Sequence, residues 1–199
     1  MATLRSGLLS LLLVSTLSGM LTGCAADIIE NFENGMGSNW KTWSDDNGGH
    51  WLWRNASDLD MPQRPDGDSG VTMVFPNEGK DSAAAHLYSP LLTFPAGAKI
   101  KLSYWIRSMY IGAANLILKR VEGGQELNPF LDLSSYATPD NNEWRQAEAD
   151  VPASQTTQSR ICIFGFRRNH KLDAIAVDNL VLTGVDGSET SIPLHPAAV

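Results

Sequence analysis

Four acidic side chains stand where oxygen chemistry is possible: Glu33, Asp66, Asp68 and Asp178. Asp178 interrupts residues 174–182, AIAVDNLVL, a run that otherwise reads as a buried strand. A carboxylate among apolar neighbours costs on the order of several kcal/mol unless something holds it, so Asp178 demands a partner. Glu33 follows the first apolar run of the domain, and Asp66 and Asp68 flank Gly67 in a turn. If the first and last strands are neighbours, these oxygens gather. Such a set suits Ca²⁺, which takes about six to eight hard oxygen ligands with tolerant geometry. Two other readings stay open: Asp178 caps backbone N–H groups at a bulge, or it pairs with Arg160 or Arg167.

Other chemistry is less well supported. GDSG at residues 67–70 spells a serine-nucleophile motif, but His50 is the only histidine upstream of Ser69. It lies too close in sequence to come from a separate barrel as such a triad requires, and a Gly/Asp turn explains the spelling. His50, His86, His170 and His195 show no paired spacing for zinc, and no Gly-rich loop opens a helix for a nucleotide. Cys162 sits in RICIFGF without a cation beside it in the strand, so it reads as a buried, inert thiol. In KIKLSYWIR, Trp105 shares the polar parity with Lys101, Ser103 and Arg107. There it is either an exposed platform for a sugar or protein contact, with Arg107 beside it, or packed under a loop. Arg167 and Arg168 open RRNHK, the one basic cluster, which is either a solvated turn or a contact for an acidic glycan.

The chain has 199 residues, with 22 acidic against 15 basic side chains and a formal net charge of -7. That balance argues against nucleic acid or an anionic membrane surface as a partner. Arg5 precedes an apolar stretch, residues 7–17, too short to span a bilayer but suited to a signal-peptide core. It leads to Leu21-Thr22-Gly23-Cys24, which resembles the lipobox of bacterial lipoproteins. The resemblance implies that residues 1–23 are removed, that Cys24 is lipidated, and that the acyl chains hold the protein on a membrane. Ala25 follows the cysteine instead of an aspartate, which by the same resemblance points to the outer membrane of a Gram-negative bacterium, facing either periplasm or surface. Residues 24–26 leave a linker of only about 10 Å, so the domain sits against the membrane. With Cys24 lipidated, Cys162 has no disulfide partner.

The elements that must position these residues are strands. Short apolar runs separated by Gly, Pro, Asn and Asp mark an all-β sandwich or barrel. Strands are expected at 28–32, 51–54, 71–75, 84–88, 100–107, 115–121, 144–151, 160–166 and 174–182, the last one central because it is apolar on both parities. Turns are written at 46–49, 64–68, 95–97, 123–124 and 139–142. The domain is expected to run over 27–184, with 185–199 a loose tail carrying at most a short strand at 191–194.

The ordered series NFENG, Trp43, Trp51, DGDSGVTM, AAAHLYSP, KIKLSYWIRSM, Trp144, RICIFGFRR and DAIAVDNLVL resembles the MAM domain. The resemblance implies a two-sheet antiparallel jelly-roll β-sandwich that binds or adheres and does no chemistry. Relatives occur among bacterial cleaved adhesins and carbohydrate-binding jelly rolls, in which a structural calcium often sits between an early Phe-Glu and a late Asp. The expected function is a membrane-anchored, non-catalytic module for an extracellular or periplasmic protein or glycan. The alternatives are a carbohydrate-binding or polysaccharide-active jelly roll, and a structural envelope component.

Overall fold

The structure, a computed structural model, describes residues 26–187 except 38, 45–47, 56–60, 65–69, 77, 79, 81, 111, 155–158, 169 and 171. Cys24, Asp66, Asp68 and the expected strand at 191–194 therefore lie outside the described residues.

Twelve strands follow one another among the described residues: β1 (Ala26–Glu30), β2 (Lys41–Ser44), β3 (Gly49–Asn55), β4 (Gly70–Pro76), β5 (Ala83–Tyr88), β6 (Leu92–Thr93), β7 (Lys99–Arg107), β8 (Ala114–Glu122), β9 (Gln125–Asp132), β10 (Arg145–Asp150), β11 (Ser159–Arg167) and β12 (Ala174–Gly187). One single-turn 3-10 helix, Ser134–Tyr136, interrupts them. All the strand pairs are antiparallel. In one sheet β12 is central, with β7 and then β10 on one side. Its other edge is shared by β1 and by β4, which carries β3. The second sheet runs β9–β8–β11–β5–β2. The two-residue β6 pairs with β11 and with the end of β12, so it joins the sheets along one side. This is the jelly-roll β-sandwich.

Strand periodicity places the core. Ile100, Leu102, Tyr104 and Ile106 of β7 and Ile175, Val177, Leu180 and Leu182 of β12 face inward from one sheet. They meet Ala83, Ala85 and Leu87 of β5, Leu116 and Leu118 of β8, and Ile161 and Ile163 of β11. Trp51 crosses the layers, its Nε1 donating to the Ala85 carbonyl at 3.1 Å. Gly165 makes room for that indole: a Cβ there would lie 2.5 Å from Val74 Cγ2 and 2.7 Å from Trp51 Cζ2.

All nine expected strands exist. Three more were not expected: β2, which is short; β6, which has two residues; and β9, which carries Pro129. The Gly123-Gly124 turn closes the β8–β9 hairpin with φ of 59° and 81°, a left-handed pair that glycine adopts without a Cβ penalty. The last strand does not end at Leu182. It continues past Gly184 to Gly187, because Asp186 and Gly187 pair with β6.

Gly165→Ala should force the Trp51 ring out of its place. Overpacking of this kind costs about 1–3 kcal/mol, and denaturant melts of the variant would read it. Unchanged stability would show that Trp51 has room to move.

Candidate binding face and the buried charge cluster

The outer face of the sheet centred on β12 is not open to solvent. Val71 and Met73 of β4, Trp105 of β7, and Ala174 and Ala176 of β12 form a second apolar cluster there, joined by Met61, Phe75 and Trp144. Segments before β4 and before β10 roof it. Trp105 Nε1 donates to Asn141 O at 2.9 Å, Asn141 Nδ2 donates to Ile106 O at 2.6 Å, and Trp144 Nε1 donates to Pro62 O at 3.0 Å. Trp105 is 1% exposed, so of its two readings the one that packs it under a loop holds, and the exposed stacking platform is corrected. The strand alternates as read, but its polar parity lies under a roof that parity alone cannot reveal.

The same roof answers the question that Asp178 raises. The strand bulges after Asp178, where the register with β7 shifts, and Asn179 takes φ of 49°. The bulge leaves the Asn179 N–H to be capped by Asp178 Oδ1 at 2.7 Å. Asp178 Oδ2 is ion-paired with Arg64 Nη2. Both are buried: Asp178 is 0% exposed and Arg64 4%. Arg64 Nη1 also donates to Gly70 O at 2.6 Å and lies 3.4 Å from Glu33 Oε1, and that same oxygen accepts from Gly70 N at 3.0 Å. The bulge reading therefore holds, and so does an arginine partner, but the arginine is Arg64. Arg160 instead donates to Ser89 O at 2.7 Å, and Arg167 Nε reaches Arg168 O at 3.5 Å.

Glu33 and Asp178 are brought together as expected, with β1 lying along β12. The cation between them is one the chain supplies itself. A calcium ion sharing these two carboxylates would stand against the Arg64 guanidinium, so the described donors do not fit that ion.

The remaining expected contacts gather at one end of the sandwich. Arg107 Nε donates to Leu172 O at 2.9 Å, and its guanidinium lies over the Trp105 ring at 4.8 Å. Arg167 is half-buried, and burial lowers its pKa. Arg168 is exposed.

The outer face of the other sheet is different in character. Register sets Trp43 of β2 beside His86 of β5, His86 beside Phe164 of β11, and Cys162 of β11 beside both Tyr88 of β5 and Lys119 of β8. Ring centroids are 5.1 Å apart for Trp43–His86, 5.1 Å for His86–Phe164 and 6.0 Å for the stacked His86–Tyr88. Glu126 of β9 leans over this row. Its Oε1 lies 3.3 Å from His86 Nε2 and its Oε2 lies 2.7 Å from Lys119 Nζ. The hydrogen bond with His86 and the nearby Lys119 charge hold the Glu126 carboxyl at about 2. Lys119 also sits over the Phe164 ring at 5.3 Å. Trp43 and Phe164 stay partly exposed. The result is an aromatic strip with one fixed anion and one fixed cation at its side, a composition that can stack on a flat apolar ring face and hydrogen-bond its rim. Sequence reasoning missed it because β2 and β9 went unread. The alternation Lys41, Trp43 against His86, Tyr88 was the available signal.

The MAM domain profile (meprin/A5/mu) matches residues 31–186. The K1 cleaved adhesin domain of Lys-gingipain from Porphyromonas gingivalis W83 shares the fold with a TM-score of 0.57 and 20% identity, over 79% of this chain and 97% of that one. The K2 domain of Lys-gingipain gives a TM-score of 0.52 and 23% identity over 79% and 99%. TmCBM61, solved in complex with β-1,4-galactotriose, gives 0.51 and 18% over 76% and 92%. At these identities the likeness establishes the fold alone. No curated protein sequence matches.

Arg64→Met should cost about 3–5 kcal/mol, since it strands the Asp178 carboxylate in an apolar setting. Adding Asp178→Leu should recover much of that loss, because an apolar pair carries no uncompensated charge. Equal losses in the single and double variants, or a melting temperature that Ca²⁺ raises through Asp178, would refute this account of the cluster.

Proposed function

This chain belongs to the MAM domain family, and on that premise we propose that it is a non-catalytic binding module whose aromatic strip takes a glycan. The strip of Trp43, Tyr88 and Phe164 with Lys119 and Glu126 carries this reading. A sugar's apolar face stacks on partly exposed rings while its hydroxyls meet the paired charges. The adhesin domains of Lys-gingipain and the galactotriose complex of TmCBM61 support it by sharing the architecture. Glu126, with its carboxyl at about 2, is an anion at neutral pH and so is unsuited to act as a general acid. The roofed face is a scaffold in this reading and not a second platform.

The module acts at a membrane, with Cys24 as the lipid anchor in the outer membrane. The lipobox spelling supports this, and the acidic balance agrees with a partner other than nucleic acid.

Two measurements test these readings. Trp43→Ala should lower affinity for glycans captured on an array by at least about tenfold, the loss expected when one stacking contact of about 1.5 kcal/mol disappears. Arg168→Ala, on the exposed loop, should change it little. An array that captures nothing, or a Trp43→Ala protein that binds unchanged, would turn the reading toward adhesion to protein. For the anchor, Cys24→Ser should abolish acyl labelling and release from membranes the fraction that is processed; persistent labelling would remove the lipid from the account.

A further inference from the structure

Three potential metal ligands converge on the aromatic strip from three different strands: His86 on β5, Glu126 on β9 and Cys162 on β11. One donor atom from each lies within 4.8 Å of the others. We propose that His86, Glu126 and Cys162 form a zinc-binding site, with water as the fourth ligand.

Geometry is the first argument. A tetrahedral zinc with bonds of about 2.0–2.3 Å holds its donors about 3.3–3.8 Å apart. His86 Nε2 lies 3.3 Å from Glu126 Oε1, and Cys162 Sγ lies 3.8 Å from the same oxygen. Two edges of the tetrahedron are thus already at length, and small movements complete the third.

The donor set is the second argument. The soft thiolate sulfur and the imidazole nitrogen favour Zn²⁺ over Ca²⁺ or Mg²⁺, and zinc also accepts a carboxylate oxygen as third ligand. With the thiol proton released to solvent on binding, thiolate and carboxylate neutralise the ion. No redox partner is needed.

The surroundings are the third. Glu126 Oε1 faces His86 and Cys162, while Oε2 is held by Lys119 Nζ at 2.7 Å, so the carboxylate is oriented by a contact on its other oxygen. The His86 ring is clamped by Trp43, Tyr88 and Phe164, and its Nδ1 is buried without a hydrogen-bond partner. The Tyr88 side chain hydrogen-bonds with Cys162, and burial keeps the thiol protonated in the metal-free chain. The Glu126 side chain is 32% exposed, which leaves a path for the ion and a place for the water.

The site shares Glu126 with the glycan reading but does not rest on it: His86 and Cys162 lie at the base of the strip, whereas the sugar's stacking contact rests on the partly exposed Trp43 and Phe164 rings.

Cobalt reports the chemistry directly. Adding Co²⁺ to the full, thiol-reduced chain should produce a near-ultraviolet sulfur-to-cobalt charge-transfer band that Zn²⁺ bleaches. Cys162→Ser should remove the band, while Glu126→Gln and His86→Ala should each weaken apparent affinity by at least about tenfold. Metal-free melting curves for every variant confirm that each is folded; Glu126→Gln alters only a partly exposed side chain and keeps the test valid if the buried variants unfold. No charge-transfer band, a band that survives Cys162→Ser, or Glu126→Gln binding as tightly as the parent would overturn the proposal. Glycan capture is scored separately, so failure of one reading leaves the other standing.

Discussion

Everything on the roofed side of the sandwich hangs on the Arg64 guanidinium. It is almost fully buried, and through one planar group it touches Asp178 on the last strand, the Gly70 carbonyl at the start of β4, and Glu33 just after the first strand. A guanidinium suits this task because its donors fan out in a rigid fork; an ammonium in the same place would have to choose among the three. Desolvating charge is expensive, so the cluster is weak evidence for a gain in stability. What it specifies is register: the bulge at Asp178, the entry to β4 and the end of β1 can be assembled in only one way if all three contacts are to form. Phe32 shows how tightly this is built. It takes φ of 56°, and its carbonyl accepts from Trp53 Nε1 at 2.6 Å and from Gly35 N at 3.1 Å. The same carbonyl presses against Gly70, where a side chain would collide with it.

The two outer faces divide the labour. One is sealed by Met61, Phe75, Trp105 and Trp144 under loops, so that its aromatics serve as core. The other is covered by no described loop and keeps its aromatics in a row with charges fixed beside them. A β-sandwich needs only its inner faces for the main core, so what lies outside each sheet is free to be set by the loops. Here the loops convert one face into structure, while no described loop covers the other.

Much of the architecture was legible in the residues. Alternation in KIKLSYWIR and the two-sided apolarity of the last strand gave β7 and the central β12, and the Gly123-Gly124 pair gave a hairpin turn. The demand of Asp178 for a partner was legible too, as was the bulge. The identity of that partner was not, because Arg64 lies 114 positions earlier in the chain, and no local pattern marks an arginine as buried. The choice between the two readings of Trp105 stayed open for the same reason: period two reports which side of a sheet a residue faces, and says nothing about what later covers that side. His86, Glu126 and Cys162 share no sequence spacing whatever. Their meeting is a product of strand order, with β5 and β8 flanking β11 and β9 outside β8, and β9 itself was hidden by the proline in its middle.

That proline has a consequence for how copies of this protein meet one another. Among the described residues β9 is paired on one side only, by β8, so its other edge offers backbone groups that a strand of another molecule could continue. Pro129 has no N–H to give to any ladder, and the register with β8 shifts on both sides of Lys119. Among the described residues this border is therefore a poorer template for a strand of another molecule than a regular, proline-free edge would be.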